Sequence, residues 1–216
     1  MLAGRWLEIV LFVAIVVADA FGLVPLTQTV LLLPLVWIAL RLRRETWATI
    51  GFRRPPSLPV AVGVGTVAGV ALEVLAVLIT TPLISGIFGT SPDYSDLAPI
   101  RGNASLLLVF LALSWSLAAF GEELCFRGFL MNRLAGLAGG TRAAWLGSLV
   151  LSSALFGWGH TEQGIAGWVQ EAFSGLLLGL LFLAARRNLA VPIVAHGVSN
   201  TLAFVLIYLG RYPGIA

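Results

Sequence analysis

Long apolar runs alternate along this chain with short polar breaks. An apolar run of about 17–25 residues is long enough to cross a bilayer as a helix. On that measure the chain divides at 6–22, 24–40, 59–84, 104–133, 143–159, 165–185 and 190–209. The pattern predicts an all-α, polytopic integral membrane bundle of about seven to eight transmembrane helices, with residues 1–216 as a single membrane domain. Pro34 falls inside the second run and predicts a kink there. Ala18-Asp19-Ala20 has the form of a small-x-small cleavage site, but the multispanning remainder favours a retained first helix over a signal peptide. Asp19 then reads as an interfacial carboxylate. The third run carries Glu73 near its middle, to be read either as facing the bundle interior or as bonded to a hydroxyl on a neighbouring helix.

Composition agrees with a membrane protein. The chain is 59% hydrophobic and 11% charged, against about 25% charged residues in ordinary soluble domains. All 13 basic residues are arginine. Arg41, Arg43, Arg44, Arg53 and Arg54 fall in one break, which assigns that loop to the cytoplasm by the positive-inside rule, and Arg127, Arg133, Arg142, Arg186 and Arg187 mark the same side. The protein is expected in the cell membrane, multi-pass, with its N-terminus cytoplasmic. Arginines scattered between apolar spans do not make a nucleic-acid surface. Glu45 to Phe52 is expected to lie along the membrane surface with Trp47 at headgroup level. The single cysteine, Cys125, excludes an intrachain disulfide and reads as packing.

Against this background the stretch Gly121-Glu122-Glu123-Leu124-Cys125-Phe126-Arg127-Gly128 is anomalous. A charged side chain deep in a bilayer costs at least about 2.5–3.5 kcal/mol, so an intramembrane acid is a functional candidate. Two lie side by side here. Residues four apart share a helix face, so Glu123 can pair with Arg127, while Glu122, five residues from it, is turned away and left for chemistry. Both histidines, His160 and His196, also fall in or beside apolar runs. Phe156 lies four before His160 as packing support, and Asn200 lies four after His196. These groups suggest activation of a water. Glu122 is the general base, His160 holds the water, and His196 with Asn200 donates to the oxyanion of a tetrahedral intermediate. A second version places zinc on Glu122, His160 and His196, a ligand set that zinc accepts. No HExxH pair accompanies it.

The ordered set EExxxR, FxxxH and HxxxN, with EELxFRG at its core, resembles the CAAX protease and bacteriocin-processing family of intramembrane endopeptidases. The match runs over about residues 104–205. Its best known members remove the last three residues of prenylated CAAX proteins. The resemblance implies Glu122, Glu123, Arg127, Phe156, His160, His196 and Asn200 as site residues, a cavity opening toward the cytosol, and a membrane-associated peptide or protein substrate in the bilayer. A non-catalytic protein of the same fold, acting as an immunity factor or a scaffold for a membrane partner protein, is the alternative. A transporter would show a second, symmetry-related set of broken helices, and none is present.

Depth is the difficulty. At about 1.5 Å per residue, Glu122 lies roughly 16 Å in from Arg133 and His196 about 10–15 Å in from Arg187, while His160 follows a full fifth span. The site closes only if the fifth helix starts deep, tilts, or is followed by a re-entrant loop over Thr161 to Gly167. Gly175 and Gly179 form a GxxxG, suited to close packing within the bundle more than to a dimer face. Gln170 and Glu171 either line the cavity or mark the interface.

Overall fold

The computed structural model describes residues 2–215. Seven helices account for most of them, with no strand among the described residues. They are α1 (Leu2–Ala20), α2 (Thr29–Arg43), α3 (Leu58–Phe88), α4 (Ala104–Leu137), α5 (Arg142–Trp158), α6 (Gly164–Ala184) and α7 (Ala190–Tyr208). Each helix falls on an apolar run of the sequence. Local chemistry sets several ends. Asn103 accepts from the Leu106 N–H at 3.1 Å and starts α4, and Thr141 accepts from the Ala144 N–H at 3.2 Å and starts α5. Asp19 accepts from the Gln28 N–H at 2.9 Å at the entry to α2, a role more specific than that of an interfacial carboxylate. Gly89 ends α3 at φ 69°.

The protein is a helical membrane bundle. Four stretches, Leu58–Phe88, Ala104–Leu137, Thr161–Ala184 and Ala190–Tyr208, are long and apolar enough to cross a membrane. This is fewer than the seven to eight spans read from hydropathy. The remaining helices fall short for definite reasons: α2 has 15 residues, α5 has 17, and α1 carries Arg5, Glu8 and Asp19. Large apolar side chains such as Val67, Leu78, Leu83, Ile87 and Leu108 point outward, as lipid contact requires.

Two helices change their winding. The backbone of α3 over Ala76–Thr80 and that of α4 over Ser114–Leu130 bond i→i+5 instead of i→i+4. Wider turns of this kind gather at functional sites, and the second covers the entire GEELCFRG motif.

An aromatic column fixes α4 against α1 and α5. Phe126 meets Phe12 edge-on at 5.2 Å and Phe156 edge-on at 5.1 Å. Small residues let helices approach closely. A Cβ on Gly65 would meet Val194 of α7 at 2.6 Å, and one on Gly69 would meet the Ala195 carbonyl at 2.5 Å. Where the arginine loops lie, Arg133 bonds Glu8 and Glu45 at 2.7 Å each, and Arg43 bonds Glu8 as well.

The segment after α2 does not simply lie along a surface. Its turn at Trp47–Ile50 packs into the bundle, and Ile50 is buried. The Gly51 carbonyl accepts from the Leu189 N–H at 3.1 Å, and the Arg53 carbonyl accepts from the Asn188 side chain at 3.0 Å. Leu189 and Asn188 are both buried. The first turn of α7 therefore begins inside the bundle, beneath this loop.

Candidate active site

The inward start of α7 resolves the question of depth. His196 sits one and a half turns into α7, already at the level of the middle of α4. His160 immediately follows α5, whose 17 residues rise from the turn where α4 ends. No re-entrant loop is needed: Thr161–Gln163 makes one tight turn before α6. Glu122, His160, His196 and Asn200 line one cavity of about 190 Å³, together with Phe156 and Glu73.

Glu123 is wholly buried and organises the others. Its Oε1 accepts from Arg127 Nη1 at 2.9 Å and from His196 Nδ1 at 3.0 Å. Arg127 also donates from Nη2 to the Gly175 carbonyl of α6 at 3.0 Å, and its guanidinium stacks over the Phe156 ring at 4.3 Å. A Cβ on Gly175 would stand 3.1 Å from that guanidinium, so the GxxxG glycine makes room for arginine within the bundle. The wide winding of α4 matters here. On a 3.6-residue helix Glu122, five residues before Arg127, would be turned well away from it, whereas the i→i+5 winding brings Glu122 and Glu123 to either side of it. Glu122 can then look into the cavity while Glu123 holds the wall.

Hydrogen bonding assigns the imidazole protons. His160 Nδ1 lies 2.9 Å from the Phe156 carbonyl, which can only accept, so Nδ1 carries a proton and Nε2 is left free. His196 Nδ1 faces a carboxylate and donates by the same reasoning. Its Nε2 stands 4.0 Å from Glu122 Oε2, a gap that suits a bridging water better than a direct bond. Fixing one ring nitrogen in this way orients the other. Phe156 packs between the rings, 4.9 Å from His160 and 6.3 Å from His196. Asn200 donates to Ser114 Oγ at 3.1 Å, which leaves its second amide hydrogen available.

Among the described residues no three His, Cys, Asp or Glu side chains gather closely enough to hold one ion.

Several participants were not visible in the spacing. The bond between Glu123 and His196 joins residues 73 apart, and no local pattern announces it. Ser114 and Ser199, which bond Asn200 and Glu73, carry no sequence signal that marks them. Gln28, just before α2, and Thr29, its first residue, press on Gly159 and Gly121, the residues directly before His160 and Glu122. Glu73 realises both of its sequence readings, since Ser199 donates to its Oε2 at 2.9 Å and it also lines the cavity. Gln170 and Glu171 line it too. At the end away from the arginine loops, Tyr94 and Tyr212 cover the cavity with rings edge-on at 5.7 Å. Burial pushes both phenols above their ordinary range, so they stay neutral.

A polar, carboxylate- and imidazole-lined cavity inside an apolar helical bundle is an arrangement that intramembrane enzymes and transporters use. The model of the Rce1-like family, type II CAAX prenyl endopeptidases, matches residues 104–202, and over that stretch the chain is similar to that family. Neither the curated proteins nor the solved structures contain a match.

Proposed function

We propose that the protein is an intramembrane endopeptidase of the CAAX type, hydrolysing a peptide bond in a membrane-associated substrate with Glu122 as general base. The family description points to a prenylated substrate. The observation that carries the proposal is the placing of Glu122, His160, His196 and Asn200, from three separate parts of the chain, on one cavity.

The chemistry follows from the free positions. Water held between Glu122 and His160 Nε2 gives a proton to the Glu122 carboxylate, and the hydroxide attacks the scissile carbonyl carbon. Negative charge develops on the carbonyl oxygen. In the oxyanion role His196 carries both ring protons: Nδ1–H stays on Glu123 and Nε2–H points into the cavity. The free Asn200 amide hydrogen adds a second donor. Glu122 then returns its proton to the leaving amine as the C–N bond breaks. Every step uses groups of this chain.

The test is cleavage of a prenylated, membrane-embedded peptide by the purified protein in liposomes. Glu122→Ala and His196→Ala should each reduce cleavage by about 10²–10⁴-fold, the usual contribution of a positioned acid–base group. Cleavage at the wild-type rate in both variants would remove these residues from the mechanism, and no cleavage by the wild-type protein would leave the fold with a binding role, such as an immunity factor or a scaffold.

A further inference from the structure

Glu122 and His160 stand at the middle of α4 and just past the end of α5, yet the residue before each meets the same step of the chain. Gly121, directly before Glu122, faces Thr29, and Gly159, directly before His160, faces Gln28. A Cβ on Gly121 would collide with the Thr29 methyl, and one on Gly159 would collide with the Gln28 carboxamide. Gln28 and Thr29 are 1% and 0% exposed. Their backbone is fixed in turn. The Gln28 N–H donates to Asp19 at 2.9 Å, and the Gln28 carbonyl accepts from the Leu31 and Leu32 N–H groups.

Both contacts are made by shape. Among the described residues, Gln28 Oε1 and Thr29 Oγ1 find no hydrogen-bond partner, although buried polar atoms are normally bonded. Neither side chain lines the cavity, so neither reaches a substrate held there. Close-packed neighbours transmit strain. A reacting group misplaced by about 1 Å can lose about 10²-fold in rate.

We propose that Gln28 and Thr29 are positioning residues: the start of α2 is a spacer that sets the separation of Glu122 and His160, between which the attacking water is held. The choice of those two groups rests on the endopeptidase reading, whereas the spacing itself does not depend on turnover. Removing the Thr29 methyl lets Gly121 settle toward α2 and carries Glu122 with it. Adding a methyl to Gly121 pushes the same carboxylate the other way.

Two measurements on the full-length protein test this. In the first, cleavage of a prenylated, membrane-embedded peptide is followed in liposomes and unfolding in detergent. Thr29→Ala and Gly121→Ala should each lower kcat by at least about tenfold, with KM little changed. The double variant puts one methyl back into the gap and should recover most of the wild-type kcat, a non-additivity expected only of residues in contact. Thr29→Val keeps the methyl without the hydroxyl and should keep kcat, and Gln28→Met should keep it where Gln28→Ala does not. A merely structural role would lower the unfolding midpoint and leave kcat per folded molecule unchanged, which overturns the proposal. A double variant whose loss is the product of the two single losses also overturns it. In the second, Glu122→Cys and His160→Cys are introduced together with Cys125→Ala, and the two thiols are bridged by a short bifunctional alkylating reagent. Thr29→Ala should slow the bridging, and adding Gly121→Ala should restore it. If the wild-type protein cleaves no peptide, the endopeptidase reading fails and the bridging decides the spacer: a rate that Thr29→Ala leaves unchanged overturns it, and a slowed rate that Gly121→Ala restores upholds it.

Discussion

Glu123 and Arg127 form a buried ion pair whose two members carry different burdens. Removing one partner of such a pair leaves an uncompensated charge and costs about 3–5 kcal/mol, whereas replacing both by apolar groups is far milder. Glu123→Leu should therefore lower the thermal midpoint sharply, and Glu123→Leu with Arg127→Met should recover much of it. Neither variant should cleave substrate, because His196 loses the acceptor of its Nδ1–H in both. Unfolding and cleavage measured on the same preparations separate the two roles. With Glu122 as base and every donor supplied by the chain, as proposed, the purified protein is expected to keep its activity after dialysis against a zinc chelator. Loss of activity on dialysis, restored by zinc, would require the cavity to close around a metal.

At the level of helices, close approach is set by glycines that differ in what they face. A Cβ on Gly157 would collide with the Trp168 carbonyl, which is backbone and cannot yield. One on Gly179 would collide with the tip of Leu149, which can turn. Gly63 faces open space. Gly157→Ala should cost about 1–3 kcal/mol, as overpacking does, Gly179→Ala less, and Gly63→Ala should be neutral or stabilising. Thermal unfolding in detergent ranks the three. The sequence made the helices themselves readable, because apolar runs and caps such as Asn103 and Thr141 are local signals. It also made the Glu123–Arg127 pair readable, since residues four apart meet in either winding. The i→i+5 stretch of α4 was not readable: no composition marks it, and it depends on what α1, α2 and α7 press against. The inward start of α7 was equally hidden, because it depends on a bond between Gly51 and Leu189, far apart in the chain.

For the molecule as a whole, arginine loops at one end and the Tyr94–Tyr212 cover at the other define an axis across the bilayer. The positive-inside rule predicts that the arginine end of that axis faces the cytoplasm. Cys125 is fully buried, so the unmodified protein should resist a membrane-impermeant maleimide in intact cells. A cysteine at the exposed Ser91 should be labelled from outside, and one at the exposed Arg54 only after the membrane is opened. The reverse pattern would invert the orientation. The positions of the polar residues along the chain were enough to suggest a shared site, and they left Glu73 and Glu171 with two readings each, one of them a place on the cavity wall. Glu73 and Glu171 lie on helices whose partners only the packed bundle reveals.

The bonds from Arg133 to Glu8 and Glu45 also bear on how the protein is made. Glu8 meets Arg43 early in synthesis, but Arg133 leaves the ribosome 125 residues after Glu8. At ordinary elongation speeds the interval between Arg43 and Arg133 is on the order of 10 s. Throughout that time the first hairpin is held at its charged end by one arginine and waits for a second. A nascent chain arrested before residue 133 should accordingly release its first helix to alkaline extraction more readily than one arrested just after it.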